Sequence, residues 1–281
     1  MANVVTATSR VSTATVVAVA TPQTQQGILE TLSRLAAGGV RPVFITLGAG
    51  VEVQRRDEEG VTIIDGLLPR YLDNAVAGLR LSSLPTLAWW RAGEPQVLDQ
   101  LASLVDRIVL DVDDPSAAWS LVPALATRTS VGDMRWARLT RWRDLIAQFF
   151  DIPEVRAAVE TFDRVEMRGL DPHAMRLLGG WLASRLPSKD RLTVAIEQGE
   201  TASIDEARIL GADGALSVCL LAGRSCLETS VQMGSGHSSR RVVAAGDGRP
   251  TALLTEELRV RSRDQAFEDA VSAGVILNAE G

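Results

Sequence analysis

Short apolar runs alternate with helix-period segments through the first half of the chain. Residues 15–20 are a run of Thr, Val and Ala with no charge, the texture of a strand buried on both faces. A helix is expected from Thr21-Pro22 onward, with Ile28, Leu32, Leu35 and Ala36 on one face and Gly38-Gly39 closing it. A second strand spans 42–47. Residues 51–65 read as a hairpin, because Asp57-Glu58-Glu59-Gly60 is turn chemistry between two apolar-containing runs. A helix at 69–79, a strand at 84–90, a helix at 95–104, a strand at 107–111 and a helix at 115–125 follow. This rhythm predicts an α/β half with a mostly parallel sheet.

The period changes at residues 136–151, WARLTRWRDLIAQFFD. Leu139, Trp142, Leu145, Ile146, Phe149 and Phe150 recur every three or four positions, so they stack on one helical face. Thr140 is placed to cap that helix, and Asp151-Ile152-Pro153 ends it, since a residue before proline leaves the helical region. Beyond it come a strand at 159–167 and an apolar-faced helix at 173–186. Strands with glycine turns follow near 193–196, 207–210, 215–221, 225–233 and 240–245, and two helices near 250–260 and 264–277. The second half is therefore expected to be α+β with an antiparallel meander. The expected division is an α/β domain at 1–132, a central connecting helix at 133–153 and an α+β domain at 154–281.

Composition changes this picture little. The chain has 281 residues, 46% apolar, with a formal charge of −6. That charge argues against nucleic acid as the partner, because phosphate neutralisation needs basic stripes. Two cysteines make no disulfide scaffold at this size. No apolar run reaches the length of a membrane span. The apolar run at 14–20 reads as a first strand rather than a signal peptide. Together these predict a cytoplasmic protein that does not bind membranes.

The candidate chemistry is sparse. Gly48-Ala49-Gly50 follows a strand, as a phosphate loop would, but no dinucleotide fingerprint or Walker lysine accompanies it, and a turn explains it. Asp111, Asp113 and Asp114 end a strand, where they could hold a metal; Asp114-Pro115 is equally a helix start. A ligand site at the carboxyl ends of the strands would use Gly48 to Gly50, Arg91 to Gly93 and Asp111 to Asp114. His173 and His237 have no partner at metal spacing. No catalytic, metal or cofactor set emerges. If Ala222-Gly223 is a two-residue hairpin loop, Leu221 pairs with Arg224 and Cys219 with Cys226. The two sulfurs would then share a face with Cα atoms about 5.5 Å apart, as a redox pair or as two reduced thiols. Trp89 and Trp90 point to opposite faces of one strand: one is core, the other is either covered by a helix or offered to a partner, in another protein or in a second copy of this chain.

The motif at 136–151, the Leu84-Pro85-Thr86-Leu87-Ala88-Trp89-Trp90 strand, Gly179-Gly180-Trp181-Leu182 and Leu253-Leu254-Thr255-Glu256-Glu257-Leu258 resemble the glucose-6-phosphate dehydrogenase assembly proteins, the OpcA family. The resemblance covers nearly the whole chain. It implies a non-catalytic protein without cofactor that binds glucose-6-phosphate dehydrogenase and promotes its assembly or activity in the oxidative pentose phosphate pathway. The expected contact residues are Trp89, Trp90, Arg91, Arg138, Arg141 and Arg143, because Trp and Arg dominate interface energetics. The alternative is a small-ligand-binding α/β protein or an enzyme acting on a phosphorylated metabolite.

Overall fold

A computed structural model describes residues 12–50, 52–92, 94–188, 191–201, 203–223, 225–260 and 262–279, with 275–279 as backbone. The α/β class expected from the sequence is present as two mixed sheets flanked by helices. The chain divides into two compact units. One takes the residues up to Gly132 together with Pro250–Arg263; the other takes Asp133–Arg249 and the residues from Asp264 onward.

The first unit runs β1 (Ala14–Ala20), α1 (Ile28–Ala37), β2 (Val40–Leu47), β3 (Gln54–Glu58), β4 (Val61–Leu67), α2 (Leu72–Leu79), β5 (Thr86–Trp90), α3 (Leu98–Leu101), β6 (Arg107–Leu110), α4 (Ser116–Ser120), α5 (Val122–Leu125) and β7 (Ser130–Asp133). The sheet order is β3-β4-β2-β1-β5-β6-β7. From β4 to β6 neighbouring strands pair in parallel, and β3 is an antiparallel edge. Every residue of β1, β5 and β6 is buried, which is why those runs carry apolar residues without alternation. The chain builds outward from β1 to β2 and β4, then crosses to β5 on the other side of β1. That reversal is the switch point of a doubly wound sheet.

Two expectations shift locally. The first helix begins at Ile28, later than Thr21, because Thr21 N–H donates to Thr24 Oγ1 at 3.0 Å and Thr24 N–H to the Thr21 carbonyl at 3.0 Å. Gly27, with φ 73°, then starts the helix. The β3–β4 hairpin turns at Glu59 (φ 51°) and Gly60 (φ 78°), the pair of left-handed residues a two-residue turn requires. Val51, the expected start of that hairpin, lies outside the described residues.

The second unit opens with α6 (Met134–Arg138) and α7 (Thr140–Phe149). Of the predicted apolar face, Leu139, Trp142, Leu145, Ile146 and Phe149 are buried, and Phe150, at the helix end, is half-buried. Thr140 is not its cap. The α7 helix continues from α6 with Leu139 between them: Leu139 N–H donates to the Arg135 carbonyl at 3.0 Å and Arg143 N–H to the Leu139 carbonyl at 2.9 Å. The Arg143 donor that a Thr140 cap would serve is already used. The cap lies earlier, where Asp133 Oδ1 accepts from Arg135 N–H at 2.7 Å.

After α8 (Pro153–Ala157) come β8 (Phe162–Gly169), α9 (Pro172–Arg185), β9 (Thr193–Gln198), β10 (Ile204–Gly211), β11 (Gly214–Leu220), β12 (Cys226–Met233) and β13 (Ser238–Ala244). The six-stranded sheet is ordered β13-β12-β11-β10-β8-β9. From β8 to β13 it is antiparallel, but β9 pairs in parallel with β8, through the α9 crossover. Helix α10 (Pro250–Glu257) then belongs to the first unit, and α11 (Gln265–Ala279) to the second. The domain expected at 154–281 is thus interrupted by a segment of its neighbour, and 133–153 lies in the second unit. Helices α9 and α11 pack closely at Gly180, where a Cβ would stand 2.2 Å from the Ala270 carbonyl oxygen.

Candidate functional site

In doubly wound sheets ligands gather at the carboxyl ends of the strands near the switch point. Here that edge is occupied by the chain's own side chains. Asp111, just past β6, accepts from Trp89 Nε1 at 3.0 Å and lies 3.5 Å from Arg91 Nε. The Arg91 guanidinium also sits 5.7 Å from the Trp89 ring centroid and donates to the Gln26 carbonyl at 3.0 Å. Asp114 Oδ1 accepts from Ser116 N–H at 3.0 Å, the helix-start role. Gly48 N–H donates to the Leu67 carbonyl at 2.8 Å, so the Gly48-Ala49-Gly50 stretch is a turn held against β4. Gly93 lies outside the described residues. Between β1 and α1, where dinucleotide-binding sheets carry a glycine-rich turn, this chain has Thr21-Pro22-Gln23-Thr24-Gln25-Gln26-Gly27.

Trp89 and Trp90 are each 1% exposed. Neither is offered to a partner, and a homo-oligomer built on an exposed tryptophan face loses its basis. The reason is position: β5 is an interior strand of a sheet buried on both faces, so opposite-facing side chains are both core. Of the other expected contacts, Arg138 is exposed, Arg141 Nε donates to the Ala244 carbonyl at 3.3 Å, and Arg143 lies over the Trp136 ring at 3.6 Å. Trp136 is a hub of the second unit. Its Nε1 donates to Asp264 Oδ2 at 2.8 Å and its ring meets Phe267 at 5.9 Å, while Asp264 Oδ1 accepts Phe267 N–H and so starts α11.

The predicted cysteine register is corrected. Leu221 N–H donates to the Cys226 carbonyl, and Cys219 stands opposite Glu228, not Cys226. The connection runs over residues 222–225 rather than Ala222-Gly223 alone; Arg224 lies outside the described residues. A shift of two keeps both free cysteines on one face but offsets them diagonally. Burial, reinforced by the Glu206 and Glu228 carboxylates, pushes the Cys219 thiol up.

That face is the most distinctive surface of the second unit. Along each of β8, β10, β11 and β12 one set of alternate residues is buried, and the opposite set carries Arg164, Glu166 and Arg168, Glu206 and Arg208, Ser217 and Cys219, and Glu228 and Ser230. Cross-strand register places Arg168 beside Glu206 and Glu197, and Arg208 beside Glu166, with Arg208 Nη1 2.9 Å from Glu166 Oε2. The β8 alternation was readable in the sequence; the pairing that assembles the checkerboard was not, because it depends on register between strands.

A second feature escaped the sequence. In the first unit Arg107 Nε donates to Glu257 Oε2 at 2.7 Å, and Arg107 Nη1 donates to Ser130 Oγ. Arg107 is 3% exposed and Glu257 6%. A Cβ on Gly132 would stand 2.5 Å from Arg107 Nη2 and 3.0 Å from Glu257 Oε2, so glycine there makes room for the pair.

The first unit is thus a doubly wound α/β sheet and the second a six-stranded mixed sheet with helices. The aldose-aldose oxidoreductase of Caulobacter crescentus matches with a TM-score of 0.50 at 12% identity, over 95% of this chain and 98% of that one, a likeness of fold alone. The family model for the C-terminal domain of the glucose-6-phosphate dehydrogenase subunit matches residues 129–271, and this chain belongs to that OpcA family. A protein of Nostoc punctiforme assigned the name OxPP cycle protein OpcA is 25% identical over 249 residues, 72% of this chain and 53% of that protein. Its namesake in Synechocystis is 31% identical over 125 residues, 41% of this chain and 26% of that protein. The chain thus spans about half the length, or less, of these curated relatives. Among the described residues no helix is long and apolar enough to cross a membrane.

Proposed function

We propose that this chain is a non-catalytic partner of glucose-6-phosphate dehydrogenase that promotes the enzyme's assembly or activity in the oxidative pentose phosphate cycle. The observation that carries the reading is the family match over 129–271, whose description names that dehydrogenase. The carboxyl edge of the first sheet supports the non-catalytic part. Asp111, at the carboxyl end of β6, is engaged by Trp89 and Arg91, and the β1–α1 turn at the switch point has threonine and glutamine where a pyrophosphate needs close backbone approach.

The dehydrogenase contact is assigned to the open face of the six-stranded sheet, with Arg168, Glu206 and Arg208 at its centre. All six strands fall within the matched segment. Alternating charges give a partner register and orientation rather than raw affinity. Arg138 is the one earlier candidate that remains exposed and unstacked. As an activator the chain must bind the active state of the enzyme more tightly than the inactive one; a tenfold shift takes about 1.4 kcal/mol of difference.

The test is sedimentation velocity of the purified chain mixed with its dehydrogenase, for the wild type and for R168E/R208E. A complex with the wild type that weakens at least tenfold in the variant supports both parts. A complex unchanged in the variant moves the contact off this face, and no complex removes the proposal.

A further inference from the structure

The strands β5, β6 and β7 begin at Thr86, Arg107 and Ser130, and these residues line a cavity of about 720 Å³ in the first unit. It lies at the amino-terminal edge of the sheet, the edge opposite the one used for ligands in doubly wound folds. Its size is within the range of roughly 300–1,000 Å³ typical of small-molecule sites.

The lining has a definite charge. Arg80, Arg107, Arg128 and Arg263 contribute four positive charges, and Asp106, Glu257 and the Asp99 carboxylate paired with Arg128 three negative ones, leaving one positive. Both lining carboxylates have local roles. Asp106 Oδ2 accepts Thr86 N–H at 2.7 Å, and Glu257 holds Arg107. Arg107 is fixed by its partners, so one guanidinium stands rigidly in the wall. Arg80 and Arg128 are exposed at the rim and tethered, Arg80 to the Leu104 carbonyl at 2.6 Å and Arg128 to Asp99. A guanidinium has five N–H donors in a planar fork, so these tethers leave donors to spare. That fork matches the oxygens of a phosphate. Serine and threonine hydroxyls make up much of the remaining polar lining, which suits a hydroxylated body attached to that phosphate.

We propose that this cavity binds a small phosphate-bearing polyhydroxy metabolite, with Arg80 and Arg128 on the phosphate. The proposal concerns the chain by itself and stands whether or not it joins a dehydrogenase. The experiment is calorimetric titration of the chain alone, at constant ionic strength, with glucose 6-phosphate, inorganic phosphate and glucose. Saturable binding of glucose 6-phosphate, weaker binding of inorganic phosphate and none of glucose are expected. R80Q/R128Q should lower glucose 6-phosphate affinity at least tenfold while its circular dichroism stays that of the wild type, and R80Q alone should lower it several-fold. Absence of saturable binding by either phosphate compound, equal binding of glucose, or unchanged affinity in these variants would overturn the proposal.

Discussion

Arg107 and Glu257 lie 150 residues apart in the chain and meet in the first unit as a buried ion pair, Nε to Oε2 at 2.7 Å. The contact explains why α10, late in sequence, is part of the early unit. Removing one partner of such a pair leaves a buried charge without compensation, at a cost of about 3–5 kcal/mol, while replacing both by apolar side chains of similar size can be neutral. Glu257→Ala should therefore destabilise by that amount in urea unfolding, and R107M/E257L should recover most of it. A loss in the double variant equal to that of the single one would show that the pair matters only through packing.

The second unit depends on Trp136. Trp136→Ala should cost about 3–5 kcal/mol, the usual range for truncating a large buried aromatic. Arg143→Ala, which removes the stacked cation at 3.6 Å together with its hydrogen bond to the Thr140 hydroxyl at 3.1 Å, should cost about 1–2 kcal/mol. Thermal unfolding followed by tryptophan fluorescence separates the two; equal losses would mean that the guanidinium carries the site.

Asp205 is 6% exposed and gathers the loop after β9, accepting from Glu200 N–H at 2.6 Å, from Thr201 N–H at 3.1 Å and from the Thr201 hydroxyl. Burial raises its pKa, but these hydrogen bonds outweigh that, and the net shift is downward. A carboxyl depressed in the folded state stabilises it above the unfolded pKa of about 3.9, and that contribution fades as pH falls through the folded value. Asp205→Ala should be less stable than the wild type at pH 7 by about 2 kcal/mol. The gap should narrow only below about pH 4; a gap constant down to pH 2 would refute this account.

Cys219 and Cys226 occupy diagonal positions, where separations of about 7–8 Å are typical, beyond easy disulfide reach. The raised Cys219 thiol makes it a poor nucleophile near neutrality. Iodoacetamide should label Cys219 more slowly than a free thiol at pH 8, and mild oxidation should leave the intact mass without an internal disulfide. Rapid loss of both thiols to a disulfide would restore the cross-strand pair.

What the sequence made legible was set by the range of the forces involved. The unbroken apolar runs at β1 and β6, and the three-and-four spacing of Trp142, Leu145, Ile146 and Phe149, are local patterns, and the elements stand where those patterns are. The cap at Thr140 failed because α6 runs into α7, which only the backbone reveals. The Cys219 register failed because a loop extended to residues 222–225 moves the pairing by two. Whether the second of Trp89 and Trp90 was covered or offered to a partner was not legible, because the cover on the second face of β5 comes from elsewhere in the fold. The Arg107–Glu257 pair, the cavity it borders and the checkerboard on the open sheet arise from residues far apart in sequence, for which no local pattern exists.

The central claim is that the chain acts on glucose-6-phosphate dehydrogenase and has no turnover of its own. The most direct measurement is the rate of NADP reduction at sub-saturating glucose 6-phosphate, with the chain titrated into a fixed amount of its dehydrogenase and, separately, with the chain alone. No rate from the chain alone is expected, together with a saturable rise in the enzyme's rate that is lost with R168E/R208E. Turnover by the chain alone, or a dehydrogenase rate that stays flat across the titration, would contradict that claim.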